Sequence, residues 1–84
     1  MTEAAGRDAK LETLARLKAM GEKAYEDMYE ADTQWDVNNF YREAKDHFYD
    51  AMQMARELGL AAEAQSLADR LHHIREVYRS QFAG

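Results

Sequence analysis

The sequence contains neither cysteine nor proline. Without cysteine there is no disulfide, no thiolate nucleophile and no thiolate metal site. That absence fits a reducing compartment, and the cytoplasm is the expected location. Glycine is scarce, with four scattered residues, so no glycine-rich phosphate loop is present. No apolar run approaches the ~20 residues of a membrane span, and the polar N-terminus does not read as a signal peptide, so no membrane partner is expected. Basic charge is also short. Eleven Lys/Arg stand against 16 Asp/Glu, for a net charge of −5. Residues 1–42 hold six against nine and residues 43–84 hold five against seven. Neither half offers a basic face for phosphates, so no nucleic-acid partner is expected.

What is present is a helical pattern. The 84 residues are 46% hydrophobic and 32% charged, and apolar residues recur at spacings of three and four, not in alternation. One domain, 1–84, is expected. A chain this short buries only about 60–65% of its unfolded surface, so association with a partner would add to a modest stability.

The strongest helix signal is Phe40 to Gly59, FYREAKDHFYDAMQMARELG. Val37, Tyr41, Ala44, Phe48, Ala51, Ala55 and Leu58 fall on one face, and Phe40, His47, Met52 and Met54 widen it to roughly half the circumference. A stripe that wide suits a helix covered by two others. Gly59 sits where a left-handed C-cap belongs. Before it, residues 1–7 are expected to fray, and a first helix is predicted over about 8–31. Its stripe is Leu14, Leu17, Gly21, Ala24, Met28 and Ala31, flanked by Leu11, Met20, Tyr25 and Tyr29. Gly21 costs roughly 1 kcal/mol inside a helix; its place on the apolar face predicts a close helix crossing in preference to a kink. Helix two is predicted over about 34–58, with Thr33 as its cap or with a later start capped by Asp36, Asn38 or Asn39; the apolar line reaching back to Val37 favours the early start. The short link Gly59-Leu60-Ala61 makes helix three, about 61–82, an antiparallel neighbour. Its stripe is Ala64, Leu67, Leu71, Ile74 and Tyr78. The expected fold is all-α, a three-helix up-down-up antiparallel bundle.

The order Tyr41-x-Glu43-Ala44-x-x-x-Phe48-x-x-Ala51-x-x-x-Ala55-x-x-Leu58-Gly59 resembles the second helix of a tetratricopeptide repeat. In that resemblance Ala44 and Ala51 are the small packing residues and Phe48 the large one. Met20-Gly21 with Ala24-Tyr25 looks like the Leu-Gly…Tyr of the repeat's first helix, with the tyrosine one place late. The sequence departs from the family in the distance from Gly21 to Ala44, longer by about three helical turns, and in lacking the turn proline. Since about three repeats are normally needed to bury each other's faces, the chain reads as a repeat-like unit and not a solenoid. From Tyr41 onward it is also similar to the microtubule-interacting and trafficking domain, a three-helix bundle, which ranks second. Either resemblance implies binding a peptide or helix of another protein, and neither implies catalysis.

Candidate chemistry is sparse. Asp32, Gln34, Asp36, Asn38 and Glu43 occupy the ligand places of a twelve-residue calcium loop, but Val37 stands where the sharp turn demands glycine. A capped inter-helix turn is the preferred reading. His72 and His73 are adjacent and point about 100° apart on a helix. Asp69 is within i,i+4 reach of His73, as is Glu76 of His72, and His47 lies at a stripe edge; surface or boundary histidines are the preferred reading over a metal site. Ser66 and Ser80 carry no nucleophile motif. No catalytic residue, metal site or cofactor is expected, and the chain is not read as an enzyme.

The aromatics stand out: one Trp, five Tyr and three Phe, 11% of the chain. Trp35 and Tyr49 project from positions expected to be polar, and Tyr25, Tyr29 and Phe40 lie near stripe edges. Surface aromatics are enriched in binding patches, so these five are the candidate partner-binding residues. For Trp35, folding back over the bundle end as a lid is favoured over a binding role. The leading expectation is a small protein-interaction module whose partner is a protein or peptide, a homodimer included. The alternative is a ligand- or metal-binding regulatory helical protein.

Overall fold

The computed structural model describes residues 2–83, and Met1 and Gly84 lie outside it. Three α-helices follow one another: α1 over Thr2–Glu30, α2 over Gln34–Glu57 and α3 over Ala61–Val77. A π-helical turn, Tyr78–Phe82, closes the chain. The fold is an all-α three-helix bundle with α2 packed against both neighbours. Its ion pairs give the directions. Lys10 near the start of α1 meets Glu57 at the end of α2, while Glu22 and Arg70 pair in register between α1 and α3. The topology is therefore up-down-up. Among the described residues, no helix is long and apolar enough to cross a membrane.

The core follows the predicted stripes. Leu14, Ala24 and Met28 of α1 are buried, as are Val37, Ala44, Phe48, Ala51 and Ala55 of α2 and Ala64, Leu67, Leu71 and Ile74 of α3. Phe48, 1% exposed, is the largest of them. Its ring fills the space under Gly21, where an added Cβ would lie 2.8 Å from Cε2. What lies nearest Gly21 is this aromatic ring, where a close helix crossing was expected. No buried side-chain nitrogen or oxygen among the described residues lacks a hydrogen-bond partner.

The helix ends show how local sequence sets the boundaries. Thr33 is extended at φ −124°, and its Oγ1 accepts from the Asp36 amide at 3.1 Å, which settles the early start of α2. At the other end Gly59 has φ +73°. Its amide donates to Arg56 O and the Leu60 amide donates to Ala55 O, the two bonds of a Schellman cap. Two boundaries differ from expectation. α1 begins at Thr2, ahead of the predicted Asp8, and its early turns lie against the end of α2: Arg7 Nη1 donates to Leu58 O at 3.1 Å. That bond satisfies a carbonyl left over at the helix end. Helix three changes to π geometry at Tyr78, with the Ala83 amide donating to Tyr78 O. Tyr78, expected in the core, is instead half-buried at the α2 surface.

Candidate functional site

The aromatic residues concentrate at one end of the bundle, built from the last turns of α1, the link 31–33, the first turns of α2 and the π turn. Two ring clusters form there. Tyr41 and Tyr78 stack in parallel with centroids 3.8 Å apart, and Tyr78 Oη donates to Asn38 Oδ1 at 2.6 Å. On the α1–α3 side, Tyr25 meets Tyr29 edge-on at 5.4 Å, and Tyr29 meets Phe82 edge-on at 5.1 Å. The π turn carries Phe82 back to α1. Tyr25 also contacts His73, with Tyr25 Oη and His73 Nε2 3.5 Å apart.

The five candidate residues are only partly brought together. Tyr25 and Tyr29 share a cluster. Phe40, half-buried, packs against the small core group of Met28, Val37 and Val77. Trp35 is 74% exposed in the first turn of α2. The lid reading is therefore overturned: in the extended-to-helix step at Thr33, the second helical residue points outward, opposite the stripe that starts at Val37. Tyr49, 49% exposed, lies on the same outer face of α2 but fourteen residues on, about 21 Å along the axis. It accepts from Gln53 Nε2 at 2.8 Å and is remote from the other four.

The α1–α2 side of this end is acidic, while the last turn of α3 and the π turn carry Arg75 and Arg79. From Ala24 to Tyr41 there are five acids and no Lys or Arg. The last turn of α1 holds no basic residue, although a cation there would complement the helix dipole. Asp27 pairs with Lys23 at 2.7 Å. Among the described residues, Glu26, Glu30, Asp32 and Asp36 have no ion-pair partner. Two shallow depressions flank Glu30. One, about 390 Å³, is lined by Glu26, Tyr29 and Glu30. The other, about 340 Å³, has Phe40 among Asp27, Glu30, Asp32 and Asp36.

The calcium and histidine readings meet plain geometry. Gln34 to Glu43 is continuous helix, so the twelve residues do not form a loop. His72 and His73 are exposed, in line with the surface reading; His73 engages Tyr25, and Asp69 accepts from Gln65. Among the described residues, no three Asp, Glu or His side chains converge as metal ligands would.

The sequence reading missed one constellation. Arg70 of α3 donates to both carboxylate oxygens of Glu22, at 3.0 and 2.7 Å, while its guanidinium carbon lies 4.8 Å from the centre of the Tyr25 ring. The available signal was Glu22 three residues before Tyr25, which places both on one helix face. Burial, chiefly, and the hydrogen bond with Tyr29 push the Tyr25 phenol up to about 12, against a smaller opposing pull from Arg70.

Comparison with protein-family models, with curated proteins and with solved structures yields no match. Function is therefore argued from this chain's own residues.

Proposed function

We propose that the protein is a small protein-interaction module that binds a partner protein or peptide through the aromatic end of its bundle, with no catalytic role. The observation that carries this is Trp35, 74% exposed on a capped and rigid helix start, with Tyr29 half exposed at the same end. The core is complete without either ring. Tryptophan and tyrosine are the residues that dominate binding energy when a partner covers them. The surrounding carboxylates form a polar rim around these rings. A net charge of −5 on each copy disfavours pairing acidic ends with one another, so the partner is a different protein and not a second copy. The tetratricopeptide-like spacing of Ala44, Phe48 and Ala51 supports the same reading by analogy alone.

Tyr49 is a secondary contact in this reading, reached only by a partner that runs along the outer face of α2. The test is capture from a native lysate by the immobilised chain, wild type against a Trp35→Ala/Tyr29→Ala double variant. At least one protein retained by the wild type should be depleted by more than about tenfold with the variant, the scale of losing one or two interface anchors. Equal recovery by both chains contradicts the site.

A further inference from the structure

We propose that Glu26, Tyr29 and Glu30 bind the guanidinium of an arginine side chain supplied by the partner. The inference rests on the reading of this end as a binding surface and names what that surface takes.

The chain contains its own precedent. In the sequence Glu22-Lys23-Ala24-Tyr25-Glu26-Asp27-Met28-Tyr29, the pair Glu22 and Tyr25 recurs one turn later as Glu26 and Tyr29. Four residues advance a helix by about 6 Å and turn it by about 40°. At the first pair, Glu22 grips Arg70 through two hydrogen bonds while Tyr25 lies under the guanidinium. At the second pair the same two side chains occur in the same relation on α1, turned further toward solvent. There no cation of α3 or of the π turn pairs with Glu26 or Glu30: Ile74, one turn beyond Arg70, is buried in the core, Arg75 is exposed, and Arg79 pairs with Glu76 at 3.6 Å. Lys23 is bonded to Asp27 on the other flank. Glu26, Tyr29 and Glu30 line an open depression of about 390 Å³.

The chemistry selects arginine over lysine. A planar guanidinium offers a fork that matches a carboxylate and a flat face that rests on an aromatic ring, whereas an ammonium offers a strongly hydrated point charge. Perpendicular contacts with Tyr25 and Phe82 hold the Tyr29 ring in place, and the ring is still 49% exposed. The second carboxylate, Glu30, and the negative end of the α1 dipole add attraction for a cation at this point.

The full-length chain, labelled with ¹⁵N, is titrated by NMR with the blocked peptide acetyl-(Gly-Arg)4-amide, with its lysine counterpart and with its uncharged citrulline counterpart. The expected result is a footprint on residues 26–31 and Phe82, with the arginine peptide bound about fivefold or more tightly than the lysine peptide. Glu26→Gln should weaken arginine binding by about fivefold, and Glu12→Gln, exposed on nearly the same face of α1 but about 21 Å toward its start, should not. Because residue 26 is exposed, folding is not at stake in the substitution. Equal binding of the lysine peptide, a footprint elsewhere or no effect of Glu26→Gln overturns the inference. The two readings separate cleanly. A captured partner lost with Trp35→Ala/Tyr29→Ala but retained by Glu26→Gln leaves the module and removes the arginine site; retention by all variants removes both.

Discussion

The Phe48 ring packs against Gly21 in the core, and the two decide a substitution whose sign is opposite to its helix propensity. Alanine in place of glycine favours a helix by roughly 1 kcal/mol. Here the new methyl would lie within 2.9 Å of three atoms of the Phe48 ring, which is buried and has no space to yield. Overpacking of this kind costs about 1–3 kcal/mol. Gly21→Ala should therefore lower the melting temperature by several degrees, and Gly21→Ala/Phe48→Leu should recover part of the loss. A rise in melting temperature for the single variant would show that the ring does not fill that space. Tyr25 gives a second test at this scale. The groups around its phenol are Glu22 and Tyr29 on its own helix and Arg70 and His73 on α3. With the folded value at about 12 against an ordinary 10, the unfolded chain loses this proton first as pH rises. The stabilising contribution is thus whole below pH 10 and is lost between 10 and about 12. Ultraviolet titration should show one tyrosine ionising about two pH units after the ordinary value, and Tyr25→Phe should remove that step. Close packing at Gly21 was legible because a glycine stood on an apolar stripe, although the neighbour is the Phe48 ring and not a crossing backbone. The arginine clamp on Tyr25 was not, because it joins residues forty-five or more apart whose spacing carries no periodic signal.

At the scale of elements, the boundaries that local chemistry sets were readable and those set by tertiary contact were not. Thr33 and Gly59 are a cap and a left-handed residue, and each ends a helix where the sequence indicates. The start of α1 at Thr2 is supported by Arg7 reaching Leu58 on another helix, and nothing near Arg7 in sequence announces that bond. The π turn at Tyr78 belongs to the same class. Its geometry accompanies the Tyr41–Tyr78 stack and the Tyr29–Phe82 contact, both of which join distant parts of the chain. Gly59 offers the cleanest prediction. Nothing lies within 4 Å of a Cβ placed there, so a substitution there meets only the cost of the backbone conformation. Gly59→Ala should lower stability by about 1–2 kcal/mol in urea unfolding without a change in slope. Gly59→Asn should cost less, since asparagine tolerates the left-handed region. Equal stability of all three chains would contradict the Schellman cap.

For the whole molecule, three helices enclose a main core cluster and a small second one, and leave an aromatic end, acidic on its α1–α2 side, in water. The short link 59–61 made the antiparallel direction legible, and the stripe pattern made the bundle legible, because the stripe of α2 is wide enough for two neighbours. It also marked the surplus aromatics, but it could not say which of them the fold would use. The structure divides them: Tyr41 and Tyr78 are spent on each other, Tyr25 on Arg70 and His73, and Trp35 on nothing. The open state of Trp35 in the free chain is what the binding proposal most depends on, and this residue is the protein's single tryptophan. The most direct measurement is quenching of its fluorescence by acrylamide, a neutral quencher unaffected by the surrounding carboxylates, over a series of protein concentrations. The expected result is a quenching constant close to that of the urea-unfolded chain and independent of concentration. A constant that is low throughout would mean that Trp35 is folded onto the bundle. One that falls as concentration rises would mean that a second copy covers it. Either outcome contradicts an end left open for a different protein.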